Sequence, residues 1–268
     1  MDSLTKSERI LHGSLYCLTF VTGLVDAGSW IAMGHVFTAN MTGNIVFLGF
    51  AFGGVSGLSI GRSSIALGFA LAGGFLAGKL DSLLGKRRRN IWLAAAFAFE
   101  TLLLLGAMTV SWYFVPRGGQ HISTALYGII ALTALGMGMR NGTVRRLAVP
   151  ELTTTVLTLT VAALAFDFSL GPGSNPRWRR RVGSVLMMFS GAFVGVQLLK
   201  HSLVLLLGAS AVLTAFCTLA QIYREETQHE AKLRAPNADV SEDRSSPNEG
   251  CPKRPGSSQT QAPGSLVT

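Results

Sequence analysis

Several residues suited to chemistry lie where the surrounding sequence is apolar. Asp26 stands deep in an apolar segment at 11–33 and is followed by Ala27-Gly28-Ser29. A charged side chain at the centre of a bilayer costs at least about 2.5–3.5 kcal/mol on insertion scales, so such residues usually pair or serve function. Asp26 is therefore a candidate to bind a proton or cation. Structural pairing across a helix bundle is the alternative.

A cluster of short polar side chains follows that segment. Asn40, Thr42 and Asn44 flank Gly43, and glycine permits unusual backbone angles. These side chains either line a binding site or cap a helix that begins near Asn44. Both interpretations place an interruption of regular helix at this point of the chain.

The second half of the chain contributes Asn141 and the threonines of the stretch 153–160. Threonine hydroxyls also bond local carbonyls, so part of this stretch serves only the backbone. Thr155 and Thr158 are the candidates for cavity-facing positions, because they match Ala39 and Thr42 in an internal repeat described below. The candidate substrate-binding set is therefore Asp26, Asn40, Thr42, Asn44, Asn141, Thr155 and Thr158.

The remaining polar residues give no sign of catalysis. Glu100 and Asp167 are further acidic candidates within apolar segments, and Arg140 is predicted to be an interfacial anchor whose long side chain snorkels. No His-Glu-x-x-His or Gly-x-Ser-x-Gly motif occurs, and the three cysteines lack the spacing of metal ligands. The sequence predicts no catalytic residue, no metal site and no cofactor.

The elements that must position these residues are long apolar stretches. The chain is 49% hydrophobic and 14% charged with a mean hydropathy of +0.40, whereas soluble domains carry about 25% charged residues. A helix needs about 20 mostly apolar residues to cross a bilayer. We therefore predict an all-α fold, a polytopic transmembrane helical bundle. Its eight apolar segments run over 11–33, 41–59, 63–81, 91–115, 122–139, 152–170, 182–199 and 202–222.

The placement of basic residues favours one topology. Lys86–Arg89 and Arg177–Arg181 are the strongest basic clusters, and Lys and Arg are enriched in cytoplasmic loops. If all eight segments cross, these clusters lie on opposite sides of the membrane. Six crossings plus two broken or re-entrant helices, at 41–59 and 152–170, put both clusters and both termini in the cytoplasm. The six-crossing topology is preferred.

Landmarks recur along the chain at a nearly constant separation. Gly23–Asp26 is echoed by Gly138–Asn141 at a shift of 115, and Gly74–Gly78 is echoed by Gly191–Gly195 at a shift of 117. This pattern predicts a two-fold internal repeat, inverted under six crossings and parallel under eight. Inverted repeats with interrupted helices that meet near the midplane are a recurring transporter architecture.

The glycine pairs of the repeat also concern helix packing. Small residues spaced four apart let helices approach closely. The faces Gly74/Gly78 and Gly191/Gly195 therefore predict packing within the bundle, with a homodimer through one of these faces as the alternative.

Three regions follow from the composition. Residues 1–10 are a cytoplasmic N-terminus, residues 11–222 form the transmembrane domain with halves at 11–115 and 122–222, and residues 223–268 are rich in Ser, Pro, Gln and charge. That last region is predicted to be a disordered cytoplasmic tail. The basic residues beside apolar segments indicate topology and not nucleic-acid binding. The expected location is the plasma membrane rather than an organelle.

Three strings of this sequence carry a family resemblance. Gly23–Ala27, Phe37–Asn44 and Val149–Thr158 together resemble the YoaK-like family, small integral membrane proteins of bacteria and fungi that form a domain of unknown function. The resemblance covers roughly residues 13–222 and implies about six transmembrane helices, with no established activity. The chain departs from the family pattern at Arg140-Asn141-Gly142 and at Leu159.

The expected function is a small-solute or ion transporter or channel with a site near the midplane. Asp26 would take a proton or cation, and the neutral side chains of the candidate set would supply further ligands. The partners are then the lipid bilayer and an unknown small solute or ion. The alternative is a non-catalytic membrane protein with a structural or partner-binding role.

Overall fold

The computed structural model describes residues 6–85, 89–114, 120–147, 157–169 and 178–234, and these residues are helical with short turns and contain no strand. A π-helical turn at Asp81–Gly85 extends the third α-helix. The α-helices are α1 (Lys6–Ala32), α2 (Met41–Phe52), α3 (Ile60–Leu80), α4 (Arg89–Phe114), α5 (Gln120–Leu147), α6 (Leu157–Ser169), α7 (Trp178–Leu199) and α8 (Leu203–Arg234).

Helix length separates the elements into two groups. Within the described part of the chain, α1, α3, α4, α7 and α8 are long and apolar enough to cross a membrane. α5 has 28 residues but is less apolar because its later turns carry arginines and an asparagine. α2 has 12 residues, fewer than the roughly 20 that a crossing requires, so the first segment predicted to be broken is a short helix. α6 is described over 13 residues, and the residues directly before and after it lie outside the described part of the chain.

α1 and α5 run in opposite directions through the centre of the bundle. Leu147, at the end of α5, shares a buried cluster with Leu11, near the start of α1. At the other end of the bundle, Ile129 of α5 shares a second buried cluster with Met33, just after α1. Residue numbers therefore rise along one helix as they fall along the other.

α3 and α5 run side by side in the same direction. A Cβ atom on Gly138 would lie 2.7 Å from the Cα of Ala70, and one on Gly142 would lie 2.8 Å from the Cβ of Ala77. Both distances are shorter than real Cβ contacts, so only glycine allows the two backbones to approach this closely. Because α5 is antiparallel to α1, α3 is antiparallel to α1 as well.

α1 and α7 make an equivalent crossing. A Cβ atom on Gly23 would lie 2.7 Å from the backbone N of Ala192, and one on Gly195 would lie 3.0 Å from the Cβ of Ala27. The two helices are therefore parallel. Gly23 and Ala27 occupy here the places that Gly138 and Gly142 occupy against α3, in both cases 115 residues apart.

This packing agrees with the prediction that Gly191 and Gly195 pack within the bundle. Both residues are buried against α1, so the structure does not support the alternative of a homodimer through this pair. On α3 the buried face is formed by Ala70, Gly73 and Ala77. Around Gly78 nothing lies within 4 Å of an added Cβ among the described residues.

α4 lies antiparallel to α5. A Cβ atom on Gly136 would lie 3.3 Å from Glu100 Cγ, and one on Gly106 would lie 3.6 Å from Leu132 Cδ1. Glycine on one helix thus faces a longer side chain on the other at both ends of this contact. α4 consequently runs in the same direction as α1.

α8 lies antiparallel to α1. Lys6 Nζ donates to the Tyr223 hydroxyl at 3.1 Å near the start of α1, and Gly28 near its end faces Leu206. α8 runs through Arg234 and so includes the first twelve residues of the region predicted to be a tail. Residues 235–268 lie outside the described residues.

The directions of the long helices fix where the short helix α2 lies. α1 and α3 are antiparallel, so α3 begins at the end of the bundle where α1 finishes. α2 connects these two points and therefore leaves and returns to the same end. The starts of α1, α4 and α7 and the ends of α3, α5 and α8 gather at the opposite end of the bundle, which we call the basic end.

Candidate functional site

Asp26 holds the polypeptide that joins α1 to α2. Its side chain is buried, with 6% of its surface exposed, and Oδ1 accepts the Ala39 N–H at 3.0 Å. This bond satisfies a backbone donor in the interruption between α1 and α2. The carboxyl group predicted to bind a solute therefore already bonds to the backbone of the chain.

Asn141 holds the same peptide from the other side. Its Nδ2 donates to the Ala39 carbonyl at 3.5 Å from α5. Asp26 and Asn141, which lie 115 residues apart in the sequence, both contact Ala39. Two residues of the predicted set therefore lie close together in the structure.

Asn44 fixes the start of α2 by bonding to one residue twice. Its Oδ1 accepts the Phe37 N–H at 2.9 Å, and its Nδ2 donates to the Phe37 carbonyl. The side chain has no exposed surface. Non-helical backbone at membrane depth persists only where other groups satisfy it, and Asn44 provides that satisfaction. Because both polar atoms of its side chain bond to the Phe37 backbone, Asn44 stabilises the turn and does not face a solute site.

The turn that ends α1 adopts left-handed backbone angles. Gly34 has φ 88° and His35 has φ 58°, and a side chain at Gly34 would collide with Arg62. Arg62 Nη1 donates to the Gly34 carbonyl at 3.3 Å. Glycine is needed at position 34 both for its φ and for the closeness of this guanidinium. The chain is thereby turned back into the bundle after Ala32.

The other predicted site residues differ in how close they lie to this contact network. Asn40 lines a cavity with Asp26, whereas Thr42 is exposed on α2. Thr158 is exposed on α6, a helix that packs on α7. Thr155 lies outside the described residues. The structure therefore brings together Asp26, Asn40 and Asn141 from the predicted set, and it leaves Thr42 and Thr158 on the surface.

A cavity of about 490 Å³ opens between α1 and α7 beside Asp26. Its polar contributors are Asp26 and Asn40, and the rest of the wall is glycine and apolar or aromatic side chains. The mouth is flanked by Phe189 and Phe193, which are 69% and 58% exposed on α7. The cavity, which we call the chamber, is thus mostly apolar and widely open to the surface, with one carboxyl group and one amide in its wall.

Aromatic rings form one side of this chamber. Trp30 stacks on Phe37 at a centroid distance of 5.2 Å with an interplanar angle of 20°. Phe47 lies 5.0 Å from Trp30, and His35 meets Trp30 edge-on at 5.0 Å. The rings join α1, the turn and α2 into one unit. Flat π faces of this kind suit apolar groups and cations.

A buried ion pair lies next to the site. Arg140 Nε donates to Glu100 Oε2 at 2.9 Å, Arg140 Nη2 bonds to Oε1, and neither side chain has exposed surface. Arg140 Nη1 also donates to the Leu18 carbonyl at 2.8 Å and to Thr22 Oγ1 at 3.0 Å. This network joins α1, α4 and α5 at their centre.

The ion pair corrects the sequence-based interpretation of Arg140. The predicted interfacial anchor is wrong, because α5 continues to Leu147 and places Arg140 inside the bundle. The sequence did contain an indication of this pair. Arg140 and Glu100 are opposite charges that each stand in an apolar segment, and burial of one requires the other. Asp167 lies on α6, and its side chain lies outside the described residues.

The described residues contain no group of three or more His, Cys, Asp or Glu that could hold a metal ion. Cys17 and Cys217 are free thiols in the bundle. Cys217 Sγ lies 3.7 Å from the Ser14 carbonyl oxygen and Cys17 Sγ lies 4.0 Å from that of Leu213. Both thiols thus contact the backbone of the neighbouring helix between α1 and α8, which agrees with their predicted role as small packing residues.

Comparison with known proteins places the chain in a family. It is 37% identical over 163 residues to the UPF0700 transmembrane protein YoaK of Bacillus subtilis (strain 168), an alignment covering 58% of this chain and 65% of that protein, slightly less than two thirds of its length. No solved structure matches the chain. The apolar helices and this similarity agree on an integral multi-pass membrane protein. A family model described as "Protein of unknown function (DUF1275)" matches residues 14–220, and the chain belongs to this family, as the resemblance to YoaK-like proteins predicted.

Proposed function

We propose that the six long helices cross the membrane and that α2 and α6 are re-entrant. The alternating directions of α1, α3, α4 and α5, and the 12 residues of α2, support this count. The two halves are then inverted repeats. The matched glycine crossings of α1 with α7 and of α5 with α3 support that relation, because each uses residues 115 apart.

We propose that the basic end of the bundle faces the cytoplasm. The described residues at that end include Lys6, Arg9, Lys79, Arg145, Arg146 and Arg179–Arg181. Lys and Arg near membrane ends set orientation in this sense. Both termini are then cytoplasmic, and the plasma membrane is the expected location.

We propose that the protein is a small-solute transporter or channel whose pathway passes the chamber beside Asp26. The single observation that carries this proposal is the interrupted helix between α1 and α2, whose backbone enters the bundle and is held on Asp26 next to a cavity of about 490 Å³. Interrupted helices next to a cavity are the usual construction of transporter sites. A charged residue kept inside the membrane usually marks such a pathway.

The walls of the chamber indicate the class of solute. The carboxylate of Asp26 and the amide of Asn40 offer acceptors, and Trp30 and Phe37 offer π faces. This combination favours a small solute with an apolar body and a cationic or hydrogen-bond-donating group. We propose that the solute passes without chemical change, because the sequence has no catalytic motif.

A structural or partner-binding role is the second candidate. It is favoured by the exposed Phe189 and Phe193 at the mouth of the chamber, which could pack against a helix of another protein. Under that interpretation the chamber serves association and carries no solute. Flux separates the two functions.

The test is flux in proteoliposomes of purified full-length protein, with a panel of small amines, neutral amphiphiles and monovalent cations. Asp26→Asn removes the charge, and Ala192→Leu fills the chamber while leaving Asp26 in place. Asp81→Asn and Ala72→Leu are matched controls outside the chamber. We expect at least tenfold lower flux for both chamber variants at equal reconstitution, and unchanged flux for both controls.

Two outcomes would contradict transport. One is flux no greater than that of empty vesicles for every solute in the panel. The other is wild-type flux in folded Asp26→Asn and Ala192→Leu proteins. Monodisperse elution of each variant before reconstitution separates loss of transport from loss of fold.

A further inference from the structure

A second cavity lies at the basic end of the bundle, between α3 and α5. It has a volume of about 390 Å³. We call it the basic furrow. Its floor is formed by Gly74, Ala77 and Gly78 of α3, and its α5 wall by Gly142, Arg145 and Arg146. Asp81 also lines it.

The floor of the basic furrow is open because it is built from glycine. Among the described residues, a Cβ atom on Gly78 would meet nothing within 4 Å, and one on Gly74 would come no closer than 3.9 Å to another atom. Beside this floor, Phe75 is 64% exposed, with Lys79 Nζ 5.1 Å from the centre of its ring. The furrow therefore continues into an apolar surface that faces lipid, with cationic groups above it.

The charges at the furrow are unequal. Arg146 Nε bonds to Asp81 Oδ2 at 2.8 Å, with 68% of the Arg146 side chain exposed. Arg145 adds a second guanidinium to the same wall. One carboxylate thus faces two guanidinium groups, and the furrow has a net positive charge at the level where α3 and α5 end. Guanidinium groups bind phosphate through paired hydrogen bonds.

The furrow occupies the same place in its half of the chain as the chamber beside Asp26. Gly142 and Arg145 follow Ala27 and Trp30 of the chamber by 115 residues. The two cavities thus occupy matching positions but differ in chemistry, because the chamber has the Trp30 ring where the basic furrow has the Arg145 guanidinium. An aromatic wall suits apolar groups, whereas a guanidinium wall at a membrane boundary suits anionic headgroups.

We infer that the basic furrow binds the phosphate headgroup of an anionic phospholipid, with its glycerol and acyl chain along Gly74 and Gly78. Arg145 and Arg146 hold the phosphate, and the absent side chains on α3 leave room for the lipid. Basic pockets between transmembrane helices bind lipid headgroups in this way. This inference does not depend on transport, because the site is away from the chamber.

The experiment uses the purified full-length protein in a neutral detergent, titrated with short-chain phosphatidylglycerol, short-chain phosphatidylcholine or inorganic phosphate. Binding is measured by native mass spectrometry. Arg145→Gln with Arg146→Gln removes the guanidinium groups, and Gly78→Leu fills the floor without changing charge. The matched controls are Arg9→Gln with Arg179→Gln, which removes the same charge from exposed positions at the same end.

A second control matches the glycine substitution. Gly68→Leu lies on the exposed face of α3 outside the furrow, where an added Cβ also meets nothing within 4 Å. Asp81→Asn tests the electrostatic part, because it releases Arg146 from its carboxylate. Elution volume and thermal unfolding of every variant show that it is folded.

The expected result is phosphatidylglycerol binding at least fivefold tighter than phosphatidylcholine binding. The Arg145→Gln/Arg146→Gln variant and Gly78→Leu should each weaken phosphatidylglycerol binding by tenfold or more. Both control variants should keep that affinity within twofold of the wild type, and Asp81→Asn should increase it. Inorganic phosphate that binds as tightly as the lipid would overturn the lipid assignment. Equal losses of phosphatidylglycerol affinity in the furrow variants and the control variants would overturn the proposed site.

Discussion

Replacing Glu100 by glutamine removes the negative partner of a fully buried arginine and keeps the shape of the side chain. Arg140 loses a charge-assisted pair of hydrogen bonds, while its bonds to the Leu18 carbonyl and Thr22 Oγ1 remain. Both side chains of the pair have no exposed surface. Breaking a buried pair leaves an uncompensated charge and costs about 3–5 kcal/mol.

That free energy converts into a readily measured change in thermal stability. A destabilisation of 1 kcal/mol lowers Tm by about 2–4 °C in domains of 150–250 residues. We therefore expect Glu100→Gln to lower Tm by about 6–20 °C, followed through tryptophan fluorescence in detergent. Asp81→Asn breaks the exposed pair with Arg146 and serves as the control, with an expected cost of at most about 1 kcal/mol.

The double variant makes the test specific to the pair. Glu100→Gln combined with Arg140→Met removes both charges, so the uncompensated charge disappears and at least half of the lost stability should return. The reasoning is refuted if Glu100→Gln unfolds within 1 °C of the wild type. It is equally refuted if the double variant loses the sum of the two single effects.

Three further predictions concern packing and chain ends. Gly191→Leu should abolish folding, because the new side chain collides with the Phe20 carbonyl of α1. Gly68→Leu, on an exposed face of α3, should fold. Size-exclusion chromatography of the two proteins checks this prediction. Asn44→Ala leaves the Phe37 backbone unsatisfied, so thermal unfolding should show a loss of about 1–3 kcal/mol. A chain that ends after residue 234 should have the Tm of the full-length protein. A chain that ends after residue 222 should have a lower Tm, because it lacks the bond between Lys6 and Tyr223. Equal Tm values for the two truncated proteins would contradict this prediction.

Much of the fold was predictable because a membrane imposes simple constraints on sequence. Apolar length indicates which helices can cross, and the distribution of Lys and Arg indicates which ends belong together. The segment at 41–59, with Thr, Asn and Gly around its start, was therefore recognisable as an interruption. Asp26 and Asn141 were both chosen as site candidates because they occupy matching positions 115 residues apart in the sequence, and both contact Ala39 in the structure.

The roles of individual polar side chains were less predictable because they depend on partners that are distant in sequence. Arg140 is buried because α5 extends beyond it to Leu147. The hydropathy of the sequence had instead ended the predicted segment at residue 139, just before Arg140. Asn44 was a candidate ligand by composition, yet its two bonds to Phe37 follow from the path of the turn. Only three-dimensional packing specifies such pairings.

The most direct test of a solute pathway beside Asp26 is access of water-borne reagents to position 40. Asn40→Cys is prepared with the three native cysteines replaced by serine, and it is treated with a membrane-impermeant thiol reagent from each side in turn. Ser56→Cys, in the exposed turn after α2, is the one-sided control. The proposed pathway predicts reaction at position 40 from both sides and reaction at position 56 from one. An inert thiol at position 40, or reaction there from the same single side as position 56, would contradict it.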